Sequence, residues 1–208
     1  IDNAGDAVMF SFAAMNDAGE LLPTMLVSDV PVQLGGFTPK NFSHSYDGAV
    51  PAEKAMSRSL NIPSVFMLKE YGIERFHSLL RELGLETIDR PAGHYGLSLI
   101  LGGAEITLWD LAGMYAGFSR TLNHFHLRSG KYHPGDLREL NFYDDIEYSM
   151  DENWSSNSTL SAAAIWQAYE AMVHVNRPGS LSNWQSFSFM GKVAWKTGTS
   201  FGFRDAWA

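Results

Sequence analysis

Apolar residues recur at helical spacing through most of this chain, and the pattern breaks where glycine and proline fall. Met9, Phe10, Phe12, Ala13, Ala14 and Met15 predict a nearly all-apolar helix that closes at Gly19, a C-cap residue. Residues 1–8 are small and polar and predict a turn or strand end in front of it. Pro23, Pro31, Gly35, Gly36 and Pro39 then predict an extended surface stretch to about Val50. Pro51 suits the first turn of a helix over 52–58, which delivers Ser59. A second helix starts at Asn61-Ile62-Pro63 and stops at Gly72. A third, over 73–83, places Phe76, Leu79, Leu80 and Leu83 on one face before Gly84. Residues 105–120 are apolar around most of the circumference (Ile106, Leu108, Leu111, Met114, Tyr115, Phe118), which predicts a buried central helix.

From 121 to 158 the sequence turns aromatic, polar and acidic and reads as an insertion or surface hairpin. Ser158 or Thr159 is the expected cap of an amphipathic helix over 160–175, ended by Asn176, Pro178 and Gly179. The last residues read as strand, tight turn and strand. Val193, Ala194 and Trp195 lead into Lys196-Thr197-Gly198-Thr199, Gly202 marks the turn, and Phe203, Asp205 and Trp207 alternate beyond it. A glycine inside a strand weakens it unless another backbone must come close, so Gly198 asks for a neighbour. A cation, two hydroxyls and a bare glycine suit an extended peptide that ends in a carboxylate. It would add to the sheet edge while Lys196, Thr197 and Thr199 hold the charged end.

Composition narrows the classes. The chain has 208 residues with 45% hydrophobic content, enough for one ordinary domain with its own core. A net charge of -8 argues against a nucleic-acid surface. Cysteine is absent, so thiols say nothing about compartment. No apolar run approaches the roughly 20 residues of a membrane span, and no signal peptide is seen.

The remaining chemistry is weaker. His124 and His126 alternate, with His133 nearby, but no familiar zinc spacing accompanies them, and solvated surface histidines are expected. Asp144, Asp145, Asp151 and Glu152 lack the order of a calcium loop and read as a solvated acidic face. Arg204 and Asp205 suit a strand-edge ion pair. The six tryptophans are scattered and imply no stacking platform. No metal or organic cofactor is expected.

Ser59-Leu60-Asn61 changes the weight of Lys196. In isolation it reads as helix-cap chemistry. Ser-x-x-Lys, Ser-Asp-Asn and Lys-Thr-Gly together mark penicillin-binding proteins and class A β-lactamases; Lys196-Thr197-Gly198 is the third, and Ser59-Leu60-Asn61 stands ahead of it in the place of the second, with leucine at the middle position. With Ile62-Pro63, the run Tyr95-Gly96-Leu97-Ser98-Leu99-Ile100-Leu101-Gly102-Gly103-Ala104 and the ending Gly202-Phe203-Arg204-Asp205-Ala206-Trp207, the chain resembles the transpeptidase domain of class A penicillin-binding proteins. The likeness runs from about residue 10 to 208 and is weakest over 121–158.

That resemblance implies an α+β fold of the serine transpeptidase and β-lactamase type, an antiparallel sheet flanked by helices with a mainly helical lobe. It would be incomplete here, lacking the strands that follow Trp207. It implies peptidoglycan DD-transpeptidation through a serine acyl-enzyme, in a protein whose glycosyltransferase domain and membrane anchor precede Ile1 and which works on the periplasmic face of the cytoplasmic membrane. Stem peptides ending in D-Ala-D-Ala, β-lactams and other cell-wall synthesis proteins would be its partners, and nucleic acid would not. Ser59 would relay a proton to the leaving amine beside Lys196. Asn61, Thr197, Gly198 and Thr199 would bind substrate, with the Thr199 N–H as one oxyanion donor.

The chain departs from the pattern at one point. No Ser-x-x-Lys occurs in it, the nearest approaches being Ser129-Gly130-Lys131 and Ser188 to Lys192. In the family that motif stands just before the first helix, so a segment is expected to be missing between Val8 and Met9. Three readings follow: the transpeptidase, a DD-carboxypeptidase or other hydrolase, and a non-catalytic cell-wall peptide-binding or scaffold protein that kept the groove without its nucleophile.

Overall fold

The computed structural model describes residues 4–142, 153–175, 193–199 and 206–207. Its body is helical. Helix α1 (Ala4–Asp17) lies at the centre, with every described side chain from Gly5 to Met15 buried. Helices α2 (Ala52–Ser57), α3 (Asn61–Tyr71), α4 (Ile73–Glu82) and α7 (Ala162–Val173) pack on it, as does the 3-10 turn Gly96–Leu101 that follows the short α5 (Ala92–Tyr95). Phe10, Phe12, Phe76, Phe118, Met9, Met56 and Leu68 fill the shared core, and Phe10 meets Phe118 edge-on with ring centroids 6.3 Å apart.

Two expectations are corrected here. Residues 4–8 belong to the start of α1 rather than to a turn or strand end. The central helix is α1 rather than the segment 105–120. That segment begins α6 (Leu108–Leu127), which buries Leu111, Met114, Phe118 and Thr121 on one side and leaves Leu108 56% and Trp109 38% exposed. Helix α6 also runs on to Leu127, taking in the start of the stretch read as an insertion. Tertiary burial decided this, since α1 and α6 carry similar proportions of apolar residues and only position in the fold separates them.

Caps explain where the helices begin. The Thr107 side chain accepts the Asp110 N–H at 3.0 Å at the start of α6. Ser161, not Ser158 or Thr159, accepts the Ala164 N–H at 3.3 Å at the start of α7. Pro51 stands at the N-cap of α2. The stretch expected to be plain extended coil contains an antiparallel pair, β1 (Leu26–Asp29) with β2 (Gly48–Pro51), in the register Val27 to Val50. The second pair, β3 (Gly198–Thr199) with β4 (Ala206–Trp207), joins Gly198 to Trp207 and Thr199 to Ala206. It is the strand pairing expected for the end of the chain, while the Gly202 turn, Arg204, Asp205 and the acidic run 144–152 lie outside the described residues. Among the described residues, then, the sheet component is two short antiparallel pairs beside a predominantly helical body.

Candidate functional site

Four parts of the chain, far apart in sequence, meet at the N-terminal end of α1: its own first turn, the loop between α2 and α3, the middle of α6, and residues 193–199. The loop is wound tightly. The Ser59 N–H donates to the Met56 carbonyl at 3.0 Å and the Leu60 N–H to the Ala55 carbonyl at 2.9 Å. This winding holds Ser59 at a φ of 53°, in the left-handed region that residues with a Cβ rarely occupy. Such conformations persist only where the surroundings impose them. Here a buried network does so. The Asn41 amide donates to Asp29 Oδ1 at 2.7 Å and its Oδ1 accepts the Ile62 N–H at 3.2 Å, while Asp29 Oδ2 accepts the Asp47 N–H at 2.9 Å. Asp29 and Asn41 are 0% and 1% exposed, so the α2–α3 loop is fastened to the β1–β2 hairpin through fully satisfied polar groups. An ion pair of Arg58 with Asp47 adds a surface tie.

Against this loop lies Lys196, only 6% exposed. Its Nζ contacts Ser59 Oγ and donates to the carbonyl of Thr197 at 2.7 Å. Burial lowers its pKa to about 8, against the opposing pull of the Asp6 carboxylate. Asp6, 5% exposed in the first turn of α1, accepts the Tyr115 hydroxyl at 2.5 Å. Burial raises the Asp6 pKa, which the Tyr115 hydrogen bond and the Lys196 charge partly offset. Tyr115 is pushed well above the usual phenol range by burial and by the Asp6 charge. The N-terminal end of α1 therefore gathers a carboxylate, a phenol, an amine and an alcohol, closely spaced and mostly withdrawn from water.

The expected site residues are distributed as follows. Ser59 and Lys196 touch. Asn61 opens α3 two residues on, with its amide nitrogen donating to the Lys40 carbonyl at 2.7 Å, so it is tied to the hairpin loop. Thr197 is exposed and contributes its carbonyl to Lys196. Gly198 is buried and answers the question its position raised: a Cβ built on Gly5 would stand 3.0 Å from Gly198 Cα and 2.1 Å from the Thr197 carbonyl oxygen. The backbone of α1 is thus the neighbour that lies close to this strand. Thr199 pairs with Ala206, and its side chain lies outside the described residues. Asp6, Tyr115, Asp29 and Asn41 went unnoticed in the sequence. Only Asp6 carried a signal, an acidic residue beside a glycine ahead of an apolar helix, and it was read as part of a turn.

The rival histidine cluster corrects one expectation. His124 and His133 are not solvated. The His124 side chain is 19% exposed and its Nδ1 meets Asp136 Oδ1 at 2.5 Å. His133 caps the 3-10 turn Pro134–Leu137 by accepting the Gly135 N–H at 3.1 Å, and Asp136 Oδ2 accepts the His133 N–H at 3.2 Å. Trp154 packs edge-on against both rings at 5.2 and 5.1 Å. His126 is exposed as expected. Among the described residues no group of three or more His, Cys, Asp or Glu side chains could hold a metal ion. No helix among them is long and apolar enough to cross a membrane.

Comparison with known proteins gives one consistent picture. No protein-family model matches the chain. It is 33% identical over 199 residues to penicillin-binding protein 1C of Escherichia coli, covering 96% of this chain and 23% of that protein. It is 28% identical over 193 residues to penicillin-binding protein 1F of Bacillus subtilis, covering 89% and 25%. The chain therefore spans about a quarter of the length of the curated relatives it matches. Among solved structures it resembles penicillin-binding protein 1A from Haemophilus influenzae with a TM-score of 0.64 and 17% identity, over 96% of this chain and 34% of that one. The penicillin-binding protein PonA1 from Mycobacterium tuberculosis gives a TM-score of 0.62 and 15% identity, over 84% and 47%. At that identity the structural likeness establishes the fold, and the sequence likeness over nearly the whole chain agrees with the resemblance read from its motifs.

Proposed function

We propose, taking as premise that this chain is a relative of the penicillin-binding proteins along nearly its whole length, that it is the transpeptidase-type domain of a peptidoglycan-synthesising enzyme. Its groove takes the D-Ala-D-Ala end of a stem peptide. The observation that supports this most directly is the contact of Lys196 with Ser59, across 137 residues of sequence, with Asn61 beginning the next helix. The peptide would lie along Lys196 to Thr199 and give its terminal carboxylate to the Lys196 ammonium, a charge-assisted bond in a site largely closed to water. Ser59 Oγ, held by the same ammonium, is placed to donate to or accept from the peptide.

In the whole protein we place this groove in DD-transpeptidation, the cross-linking of stem peptides by acyl transfer, with β-lactams as mimics of the same peptide end. A glycosyltransferase domain and an anchor elsewhere in the polypeptide, and work on the periplasmic face of the cytoplasmic membrane, belong to this reading. In this reading Lys196, Thr197, Gly198, Thr199 and Asn61 serve recognition and Ser59 serves proton relay. An acyl transfer needs a nucleophile and a base in addition, and the 208 residues hold no Ser-x-x-Lys.

Titration of the full-length protein with diacetyl-Lys-D-Ala-D-Ala, followed by NMR or calorimetry, tests the proposal. Saturable binding that weakens when the C-terminal carboxylate is amidated is the expected result. Equal affinity for acid and amide would remove Lys196 as the anchor and the reading with it.

A further inference from the structure

Asp6 has no part in the peptide contacts described above, yet the backbone delivers it to Lys196. Gly5 backs onto Thr197 so closely that a Cβ on it would stand 2.1 Å from the carbonyl oxygen, and Lys196 Nζ donates to that same carbonyl at 2.7 Å. The next residue is Asp6, in the first turn of α1 and 5% exposed. A carboxylate is thus buried one residue from the contact that fixes the amine. Its direction is set as well, because the Tyr115 hydroxyl on α6 donates its single proton to Asp6 Oδ1 at 2.5 Å. The Tyr115 ring in turn packs among Phe10, Phe118 and Tyr169, with ring centroids 6.3 to 6.5 Å apart. Moving the carboxylate means breaking a bond to a ring that cannot follow it.

The other ionisable groups nearby do not compete for the role. Residues 193–199 carry no charged side chain besides Lys196. Arg58, next to Ser59, is turned to Asp47 at the surface. Helices α6 and α7 bring the phenols Tyr115 and Tyr169, whose burial pushes their pKa values up and keeps them neutral at physiological pH. Among the described residues Asp6 is the anion that acts on Lys196, and it opposes the loss of the lysine proton that burial favours. With a pKa of about 8, roughly nine-tenths of Lys196 is charged at pH 7. Without the neighbouring anion that fraction would drop.

Resting on the reading of the groove as a stem-peptide site, we propose that Asp6 is a positioning residue for it: pinned by the Tyr115 hydroxyl, its carboxylate is the resident counter-ion that keeps Lys196 an ammonium until the peptide's carboxylate arrives to share it. Asp6 acts through Lys196 and touches no peptide atom. When the second carboxylate enters, two anions share one cation, so Asp6 becomes easier to protonate.

The experiment uses the full-length gene product in detergent and two probes, diacetyl-Lys-D-Ala-D-Ala and its C-terminal amide, titrated by calorimetry from pH 5 to 10. The wild type should prefer the acid at least tenfold at pH 6, and the preference should begin to fall near pH 8, where free Lys196 loses its proton. Asp6→Asn keeps the shape and an oxygen for Tyr115 but removes the charge. In it the bend should move down by about one pH unit. Asp6→Ser, smaller and also neutral, should move it the same way and serves if the asparagine variant misfolds. A folded neutral variant that binds more weakly at every pH with the bend unmoved would make Asp6 a structural residue and overturn the inference. A measurement on the wild type needs no variant: at pH 5, in two buffers of different ionisation enthalpy, the acid peptide should bind with fractional proton uptake and the amide with none. Zero uptake with the acid overturns the inference and leaves the stem-peptide reading standing. Equal affinity for acid and amide in the wild type at every pH overturns that reading, and the inference falls with it.

Discussion

Two polar clusters are sunk into the helical body, and they are built in opposite ways. The histidine cluster is local: His124, His133, Asp136 and Trp154 come from the end of α6 and the segment that folds back on it, and the Asp136 carboxylate serves both a ring nitrogen and a backbone amide. The lysine cluster is assembled over long range: Asp6, Ser59, Tyr115 and Lys196 come from four separate parts of the chain. The local cluster can satisfy itself while α6 and the 3-10 turn form, and one orphan remains, the buried His133 Nε2, without a hydrogen-bond partner among the described residues. The distant cluster carries a nearly buried amine whose pKa burial lowers, a cost that packing alone would not retain. A strained serine and a desolvated cation at one place are features of a site, while a capped turn and a bridged carboxylate are features of a scaffold.

The contrast is tested most strongly at Lys196. Lys196→Met should weaken D-Ala-D-Ala peptide binding by roughly 100-fold, the scale expected when one partner of a desolvated charge pair is removed. It should also make the fold more stable at pH 7. The sign follows from linkage: folded Lys196 titrates near 8 and unfolded lysine near 10.5, so folding carries a penalty below about 8 that disappears as the pH rises toward 10.5. Over that window the native protein should gain about 3 kcal/mol relative to Lys196→Met. The quantity to measure is the wild-type minus variant difference in urea midpoints. Tyr115, Tyr169 and Tyr71 have raised pKa values and pull the other way above pH 10 in both proteins. A difference that stays flat from pH 7 to 10.5 would mean Lys196 is not desolvated.

Next comes the seam between α1 and the strand. Gly5→Ala should destabilise the domain by about 2 kcal/mol, because the Thr197 and Gly198 backbone must move to admit one methyl group. The displaced strand should lose peptide affinity as well. Asp136→Asn should cost about 1 to 2 kcal/mol through the lost charge-assisted bond to His124, yet leave peptide affinity unchanged. A loss of affinity in Asp136→Asn, measured at a temperature where the variant is folded, would erase the distinction between the two clusters.

The sequence carried the helices better than the site, for a physical reason. Apolar periodicity and the glycine stops placed α2, α3 and α4 within a residue or two, because local spacing decides which face is buried. It failed for the start of α1, where Gly5 and Asp6 look like turn residues and become helical only through burial against the rest of the fold. It failed for the β1–β2 pair, where Pro23, Pro31 and Pro39 hid two short strands. Ser59 and Lys196 were legible as a pair through their motifs. Asp6, Tyr115, Asp29 and Asn41 were not, since each is a single polar residue whose side-chain partner lies at least 12 positions away in sequence.

The smallest expected effect separates the two things Ser59 does, and it needs two variants. Ser59→Ala removes the hydroxyl that meets Lys196 but keeps a Cβ at a φ of 53°. Ser59→Gly removes both, and glycine adopts positive φ without steric cost. Both variants lose the same hydrogen bond, so subtracting their stabilities cancels it and leaves the backbone conformation together with the methyl group's packing. Ser59→Gly should therefore be more stable than Ser59→Ala by about 1 kcal/mol in urea unfolding, the usual scale of strain for a non-glycine residue in this region. Peptide affinity should fall only a few-fold, and equally, in the two, since Lys196 remains as anchor. If the glycine variant is no more stable, the turn at residue 59 stores no strain. The claim that the fold holds this serine in place for a purpose would then rest on Lys196 alone.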